Sequence, residues 1–153
     1  MSQLLRLLPS DNILLDLEAT SKKRVFERVG LLFENNQGIA RSTVFESLFA
    51  REKLGSTGLG SGIAVPHGRI KGLKAATGAF IRLAAPVPFE SPDGKPVSLM
   101  FVLLVPEHAT DQHLQILAEL AELFSDRTAR DVLNTATSAD RIRQVFSPER
   151  ISA

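Results

Sequence analysis

The sequence predicts a single α/β domain, on three observations. Segments with strand character alternate with amphipathic helical segments. One segment, residues 97–105 (VSLMFVLLV), is apolar almost throughout, as a central strand covered on both faces would be. The chain has 153 residues, a length that suits one sizeable core. Strands and helices in alternation around a doubly buried strand make a layered α/β sandwich. No internal repeat, low-complexity tract or linker divides the chain, so 1–153 reads as one domain.

The elements follow in order. Residues 4–8 are largely apolar and stop at Pro9-Ser10, a short helical turn. Residues 13–17 form a short strand. Ser21 is a good N-cap, since its hydroxyl accepts from an orphan backbone N–H. Val25, Phe26, Val29, Leu32 and Phe33 then lie on one helical stripe. Asn36-Gln37-Gly38 ends that helix, with Gly38 suited to the left-handed position beyond it. A second helix starts near Ser42. Either Ser42 caps it, or Thr43 and Glu46 form a capping box. Val44, Phe45, Leu48 and Phe49 are its buried face, and Arg51 sits in its last turn. A short strand is expected at 63–65, a polar loop at 69–74 and a strand at 76–83. Pro86, Pro88, Pro92 and Asp93-Gly94 mark an irregular connection with a turn at Asp93-Gly94. Pro106 ends the apolar strand. Thr110 or Asp111 caps a helix that carries His113, Leu114, Leu117, Leu120, Ala121 and Phe124. Two shorter helices follow, at 128–136 and at 139–146, the second capped by Ser138.

Composition narrows the function classes. Hydrophobic residues at 44% and charged residues at 23% are ordinary for a soluble globular protein. A net charge of +1 gives no field for nucleic acid or acidic lipid, and the Lys71/Lys74 pair is too small for a basic face. With no cysteine there is neither a disulfide nor a thiolate metal site, which fits a reducing compartment. The first residues lack a signal peptide's apolar region, and no stretch approaches the roughly 20 apolar residues that span a bilayer. A cytoplasmic location is expected.

The chemistry concentrates in residues 51–69, REKLGSTGLGSGIAVPHGR. Four glycines fall between Gly55 and Gly62, then a short apolar strand, then His67 between proline and glycine. Glycine loses the most backbone entropy on folding, so a cluster implies positive φ or close approach to a ligand. Histidine is a neutral nucleophile near pH 7, and it carries a phosphoryl group through a labile P–N bond. Phosphoryl transfer asks little of a protein beyond alignment and charge stabilisation. The loop's N–H groups offer an anion nest, Arg51 a forked cation, and Ser56, Thr57 and Ser61 hydroxyl donors. His113, in the first turn of a helix that follows the buried strand, is the second candidate imidazole. His108 has no assigned role. Three histidines without an H-E-x-x-H helix or any cysteine do not make a zinc site. The loop is not a phosphate-binding P-loop, because no G-K-[ST] follows it. It is not a dinucleotide fingerprint either, because Ile63 takes the third glycine position.

REKLGSTGLGSGIAVPHGR resembles the active-site signature of the IIA domains of the bacterial phosphoenolpyruvate:sugar phosphotransferase system, of the fructose/mannitol type. The SKKR helix start, the run VSLMFVLLVP and the segment HLQIL extend the likeness over essentially the whole chain. Within the family the chain is most similar to the stand-alone, nitrogen-regulatory branch. The resemblance implies a mixed sheet of about five strands with helices on both faces, one strand more than the chain reading gives, near the glycine loop. It implies a phosphotransferase component with a phosphohistidine intermediate, no metal and no organic cofactor. His67 would accept the phosphoryl group, His113 would be the second active-site histidine, and Arg51 would stabilise charge. Ser56, Thr57, Gly58, Gly60, Ser61 and Gly62 would form the phosphoryl-binding loop.

The donor implied is a small histidine-phosphorylated carrier protein, itself charged by a phosphoenolpyruvate-dependent enzyme I. The downstream partners implied are regulatory targets such as potassium-transport proteins or sensor kinases. The apolar and glycine-rich rim at Leu59 and Ile63 offers a docking surface. Two alternatives remain at this point. One is a sugar-transport IIA that hands its phosphoryl group to a IIB domain. The other is a binding regulator that never carries phosphate.

Overall fold

A computed structural model describes residues 3–109 and 111–147. One mixed sheet of six strands runs through it: β1 (Ile13–Leu17), β2 (Gly58–Gly60), β3 (Ile63–Ala64), β4 (His67–Ile70), β5 (Thr77–Val87) and β6 (Val97–Pro106). The helices are α1 (Gln3–Arg6), α2 (Lys22–Gln37), α3 (Arg41–Lys53), α4 (Asp111–Ser125), α5 (Arg127–Thr135) and α6 (Ala139–Val145). The order across the sheet is β1-β5-β6-β3-β2, and β4 also pairs with β6. β1 is parallel to β5, β5 antiparallel to β6, and both β3 and β4 parallel to β6.

β3 and β4 are two halves of one broken strand. Ile63 pairs with Leu99 and His67 with Leu103, an unchanged register. Between them Val65 turns its N–H to the Thr57 carbonyl at 3.0 Å, and Pro66 has no N–H to give. The six strands therefore fill five columns, in line with the expected sheet of about five.

β6 is the central strand. Leu99, Phe101, Leu103 and Val105 enter one core with α1, α4, α5 and α6. Met100, Val102 and Leu104 enter the other with α2 and α3. Side chains alternate faces along a strand, so a strand between two cores must be apolar at every position.

Several local expectations hold. The Ser21 hydroxyl accepts from the Arg24 N–H at 3.1 Å, and the Ser138 hydroxyl from the Arg141 N–H at 3.2 Å. Gly38 takes the left-handed conformation (φ 72°) and closes α2.

Others change. α3 begins at Arg41 with Ala40 before it, and neither Ser42 nor a Thr43/Glu46 box caps it. The three-residue link from α2 brings the Glu34 carboxylate under the new helix, where it accepts from the Arg41 N–H at 3.1 Å. Arg69 and Ile70 belong to β4 and not to a loop, because β6 offers them a parallel partner; the connection to β5 is confined to 71–76. β5 runs on through Pro86 to Val87. Its pairing with β6 jumps from Arg82–Leu99 to Val87–Val97, so Pro86 falls in an irregularity where no ladder N–H is needed. On α4 the buried face is Ile116, Leu120, Leu123 and Phe124, while Leu114 and Ala121 are exposed. α5 starts at Arg127, capped by the Asp126 carboxylate rather than beginning at Thr128. Of the two proposed caps of α4, Thr110 lies outside the described residues.

Candidate functional site

The site lies where α3 ends, where β4 begins, and where the chain enters α4 beyond β6. Arg51, His67 and His113 line one open cleft of about 710 Å³, together with Ser47, Arg69 and Lys71. The sequence placed these three residues 16 and 46 positions apart, and the sheet brings them together because β4 and α4 both meet at the carboxyl end of β6. A second hollow of about 190 Å³ shares Arg51 and His67 and continues over Ser56, Thr57, Gly58, Leu59, Val65 and Leu117.

His67 is the first residue of β4 and is partly buried. Its Nδ1 lies 3.0 Å from the Val65 carbonyl oxygen. A carbonyl only accepts, so Nδ1 carries the proton and Nε2 keeps its lone pair. Burial holds the ring's pKa below the ordinary histidine value, and the charges of Arg51 and His113 push the same way. The Val65 carbonyl and Glu52 pull against them without reversing the shift. The ring is therefore neutral at pH 7, as a nucleophile must be.

Gly68, which follows, lets β4 lie flat on α3. A Cβ there would sit 2.2 Å from the Ser47 hydroxyl oxygen and 3.1 Å from the Ser47 Cβ. This close approach explains the glycine after the histidine.

Arg51 donates from Nη1 to the Gly55 carbonyl at 2.8 Å, which ties its guanidinium to the turn after α3 while it lines the cleft. Among the described residues, two buried side-chain polar atoms have no hydrogen-bond partner in the protein: Ser91 Oγ and His113 Nδ1. His108 is exposed, with Nε2 3.6 Å from Glu107. Among the described residues no three His, Asp or Glu side chains gather as a metal-ligand group.

The glycine loop is a tight hairpin, with β2 and β3 antiparallel. Gly60 (φ 91°), Ser61 (φ 57°) and Gly62 (φ 80°) are all left-handed at its tip. Asp93 pins that tip by accepting the Ser61 N–H at 2.9 Å, and the backbone donors from Ser61 and Lys95 hold its carboxyl below the usual range. The loop residues thus divide. Ser56, Thr57 and Gly58 border His67, whereas Gly60, Ser61 and Gly62 line neither hollow.

Even the bordering donors are engaged within the protein. The Ser56 hydroxyl donates to the Phe89 carbonyl and accepts from the Gly58 N–H. Thr57 gives both its N–H (3.0 Å) and its hydroxyl (2.7 Å) to Glu52. The expected docking rim also changes: Leu59 is exposed, but Ile63 is buried, since it belongs to β3 beside β6.

Two contributors escaped the sequence reading. Arg69 donates to the Glu107 and Ala109 carbonyls, which ties the approach to α4 and His113 to β4. Glu52 is buried and binds Lys22 as well as Thr57. A signal for Glu52 existed: with Val44 and Leu48 it occupies i, i+4, i+8, a charge on the apolar stripe of α3.

The chain is similar to known proteins in both sequence and fold. Residues 6–148 match the model of the family described as phosphoenolpyruvate-dependent sugar phosphotransferase system, EIIA 2. The chain is 42% identical over 146 residues to a nitrogen regulatory protein of Pseudomonas aeruginosa, with 95% of each chain covered. It is 34% identical over 107 residues to a fructose-specific EIIA component of Haloferax volcanii, with 70% of each covered. Among solved structures it is similar to the nitrogen regulatory protein IIA-Ntr from Neisseria meningitidis. The TM-score there is 0.91 at 55% identity, over 95% of this chain and all of that one. The IIA mannitol structure from Escherichia coli shares the fold, with a TM-score of 0.76 at 23% identity over 91% of this chain and 98% of that one. The chain belongs to the EIIA 2 family of the phosphoenolpyruvate-dependent sugar phosphotransferase system.

Proposed function

We propose that the protein is a phosphoryl carrier of the nitrogen-regulatory branch, with His67 as the acceptor. The observation that carries this reading is the hydrogen bond from His67 Nδ1–H to the Val65 carbonyl, which leaves Nε2 as the nucleophile in a basic cleft. The donor is a carrier protein phosphorylated on its own histidine. Nε2 of His67 attacks phosphorus, the donor's P–N bond breaks, and its electron pair returns to the donor ring. His67 becomes cationic as the new P–N bond forms, and the Nδ1–H bond to Val65 strengthens with that charge. Arg51 and His113 supply donors to the phosphoryl oxygens. With the Ser56 and Thr57 hydroxyls and the Thr57, Gly58 and Ser61 N–H groups engaged, the glycine loop contributes chiefly shape, since it holds Val65 in place.

The phosphoryl group adds about 1.5–2 negative charges at neutral pH. In a cleft lined by Arg51, Arg69 and Lys71 that reverses the local potential, and regulatory targets, such as potassium-transport proteins or sensor kinases, bind according to it. Leu54 in this cleft and Leu59 in the hollow beside it are exposed and offer apolar contact in either state.

The test is phosphorylation by phosphoenolpyruvate, enzyme I and the carrier, followed by intact mass and acid lability. An acid-labile adduct of one phosphoryl group is expected, absent in His67→Ala and slowed in His113→Ala. No adduct under conditions that charge a known IIA domain overturns the carrier reading and leaves a pure binding regulator. Onward transfer to a fructose or mannitol IIB domain, rather than retention, assigns the protein to sugar transport instead.

A further inference from the structure

We propose that Glu52 is a positioning residue for His67, acting through Thr57 and the Val65 backbone as the carboxylate of a catalytic triad acts directly on its histidine. The inference rests on His67 being the phosphoryl acceptor, but its structural part can be measured without any phosphoryl donor.

The connection is continuous. Glu52 Oε2 accepts from Lys22 Nζ and from the Thr57 N–H, each at 3.0 Å. Its Oε1 accepts from the Thr57 hydroxyl at 2.7 Å. The Thr57 carbonyl then accepts the Val65 N–H at 3.0 Å. The Val65 carbonyl in turn accepts from His67 Nδ1–H at 3.0 Å. Four residues, from α2, α3 and the two flanks of the β2–β3 hairpin, thus end on the one atom that fixes the tautomer of the nucleophile. The Val65 side chain, the Thr57 side chain and Glu52 are all buried, so water does not substitute for these bonds.

A buried carboxylate is costly and persists only with its partners in place. An amide or an apolar residue at 52 would pack on Leu48 and Val44 at no such cost. What the carboxylate adds is two acceptor oxygens on a single residue of the hairpin and a negative charge behind the ring. The charge matters when His67 becomes cationic on taking the phosphoryl group, as the aspartate of a triad matters to its imidazolium. Glu52 is then the one fixed anion of the chain of bonds, set against the cation Arg51, its neighbour in sequence. Arg51 serves the phosphoryl end of the ring and Glu52 the Nδ1 end. The other charged and titratable groups around His67 are Glu46 from α3, Arg69 and Lys71 from β4 and its turn, Glu107 from the loop after β6, and His113 from α4.

The experiment compares the full chain with Glu52→Gln, Thr57→Val and Thr57→Ser. Nitrogen-15 NMR of the His67 ring reads tautomer and titration in the absence of any donor. Transfer from the phosphorylated carrier is then followed as rate against pH. Glutamine puts an NH2 donor in place of one of the two oxygens that accept from Thr57, and it carries no charge. In Glu52→Gln the Nδ1–H tautomer loses its exclusivity, the His67 titration moves to lower pH, and transfer at pH 7 falls about tenfold, as outer partners of functional histidines commonly give. Thr57→Val keeps one donor and shows a smaller effect in the same direction, and Thr57→Ser restores the wild-type values.

If Glu52→Gln does not fold, Lys22→Met/Glu52→Gln removes both charges of the pair and is read in the same way. A folded variant of lower stability whose His67 tautomer, titration and transfer rate all match wild type overturns the proposal and leaves Glu52 a structural anchor. Wild-type protein that shows the Nδ1–H tautomer but never accepts a phosphoryl group overturns the carrier reading instead, and the NMR comparison still decides whether Glu52 orients His67.

Discussion

Replacing Gly68 by alanine tests whether the site depends on the flat contact between β4 and α3. The new Cβ would meet three atoms of Ser47: the hydroxyl oxygen at 2.2 Å, Cβ at 3.1 Å and the backbone carbon at 3.3 Å. Rotating the hydroxyl away relieves the first contact. It also breaks the bond that Ser47 Oγ makes to the Arg69 carbonyl at 2.9 Å, which costs about 1 kcal/mol. The other two contacts involve atoms fixed in α3, and overpacking of this kind costs roughly 1–3 kcal/mol. Gly68→Ala should therefore lose about 2–4 kcal/mol, a large part of the roughly 5–15 kcal/mol that holds a domain of this size together.

Ser47→Gly alone should cost about 2 kcal/mol, from the lost hydrogen bond and from glycine within a helix. Together the two changes should cost about 3 kcal/mol rather than the additive 4–6, because Ser47→Gly removes two of the three atoms that the new Cβ collides with. Urea unfolding of the four proteins at pH 7 gives the coupling directly. Additivity within about 0.5 kcal/mol would refute the packing argument. Gly68 follows His67 on the same short strand, so Gly68→Ala should also slow phosphoryl acceptance while Ser47→Gly/Gly68→Ala recovers part of it.

Three other outcomes are expected. His67 has its pKa depressed in the fold below the ordinary histidine value of 6.5, so the unfolded chain takes up this proton first as pH falls. Its contribution to stability is present above pH 6.5 and is lost as pH drops from there through the lower folded value; denaturation from pH 7.5 to 5 should show a limb that His67→Gln flattens. Phosphoryl acceptance should likewise stay level through pH 6.5 and decline only below it. Arg69→Met removes both bonds to the 107–109 segment, so transfer should slow by about tenfold, against a stability loss of about 1–2 kcal/mol seen in thermal unfolding. Lys22→Met leaves the Glu52 carboxylate buried without its cation and should cost about 3 kcal/mol in urea unfolding, most of it recovered in Lys22→Met/Glu52→Gln; equal instability of the single and double variants would show the pair to be irrelevant.

What the sequence by itself determined is what travels in short-range pattern. The nearly continuous apolar run at 97–105 suits a strand between two cores, and it is one. Ser21, Gly38, Ser138 and Asp93-Gly94 act on neighbours a few residues away, and each does so in the fold. His67 stood out because Pro-His-Gly beside four glycines has no simple packing use. The tertiary structure decided whatever depends on a partner distant in the chain. β4 has a single apolar residue, Ile70, and exists because β6 offers a parallel edge. The cap of α3 comes from Glu34 of the preceding helix. Ser56 and Thr57, which read as phosphoryl donors, spend their hydroxyls on Phe89 and Glu52, and only the fold reveals those acceptors. Arg51, His67 and His113 share a cleft because the sheet carries β4 and α4 to one end of β6, a convergence that no local spacing encodes.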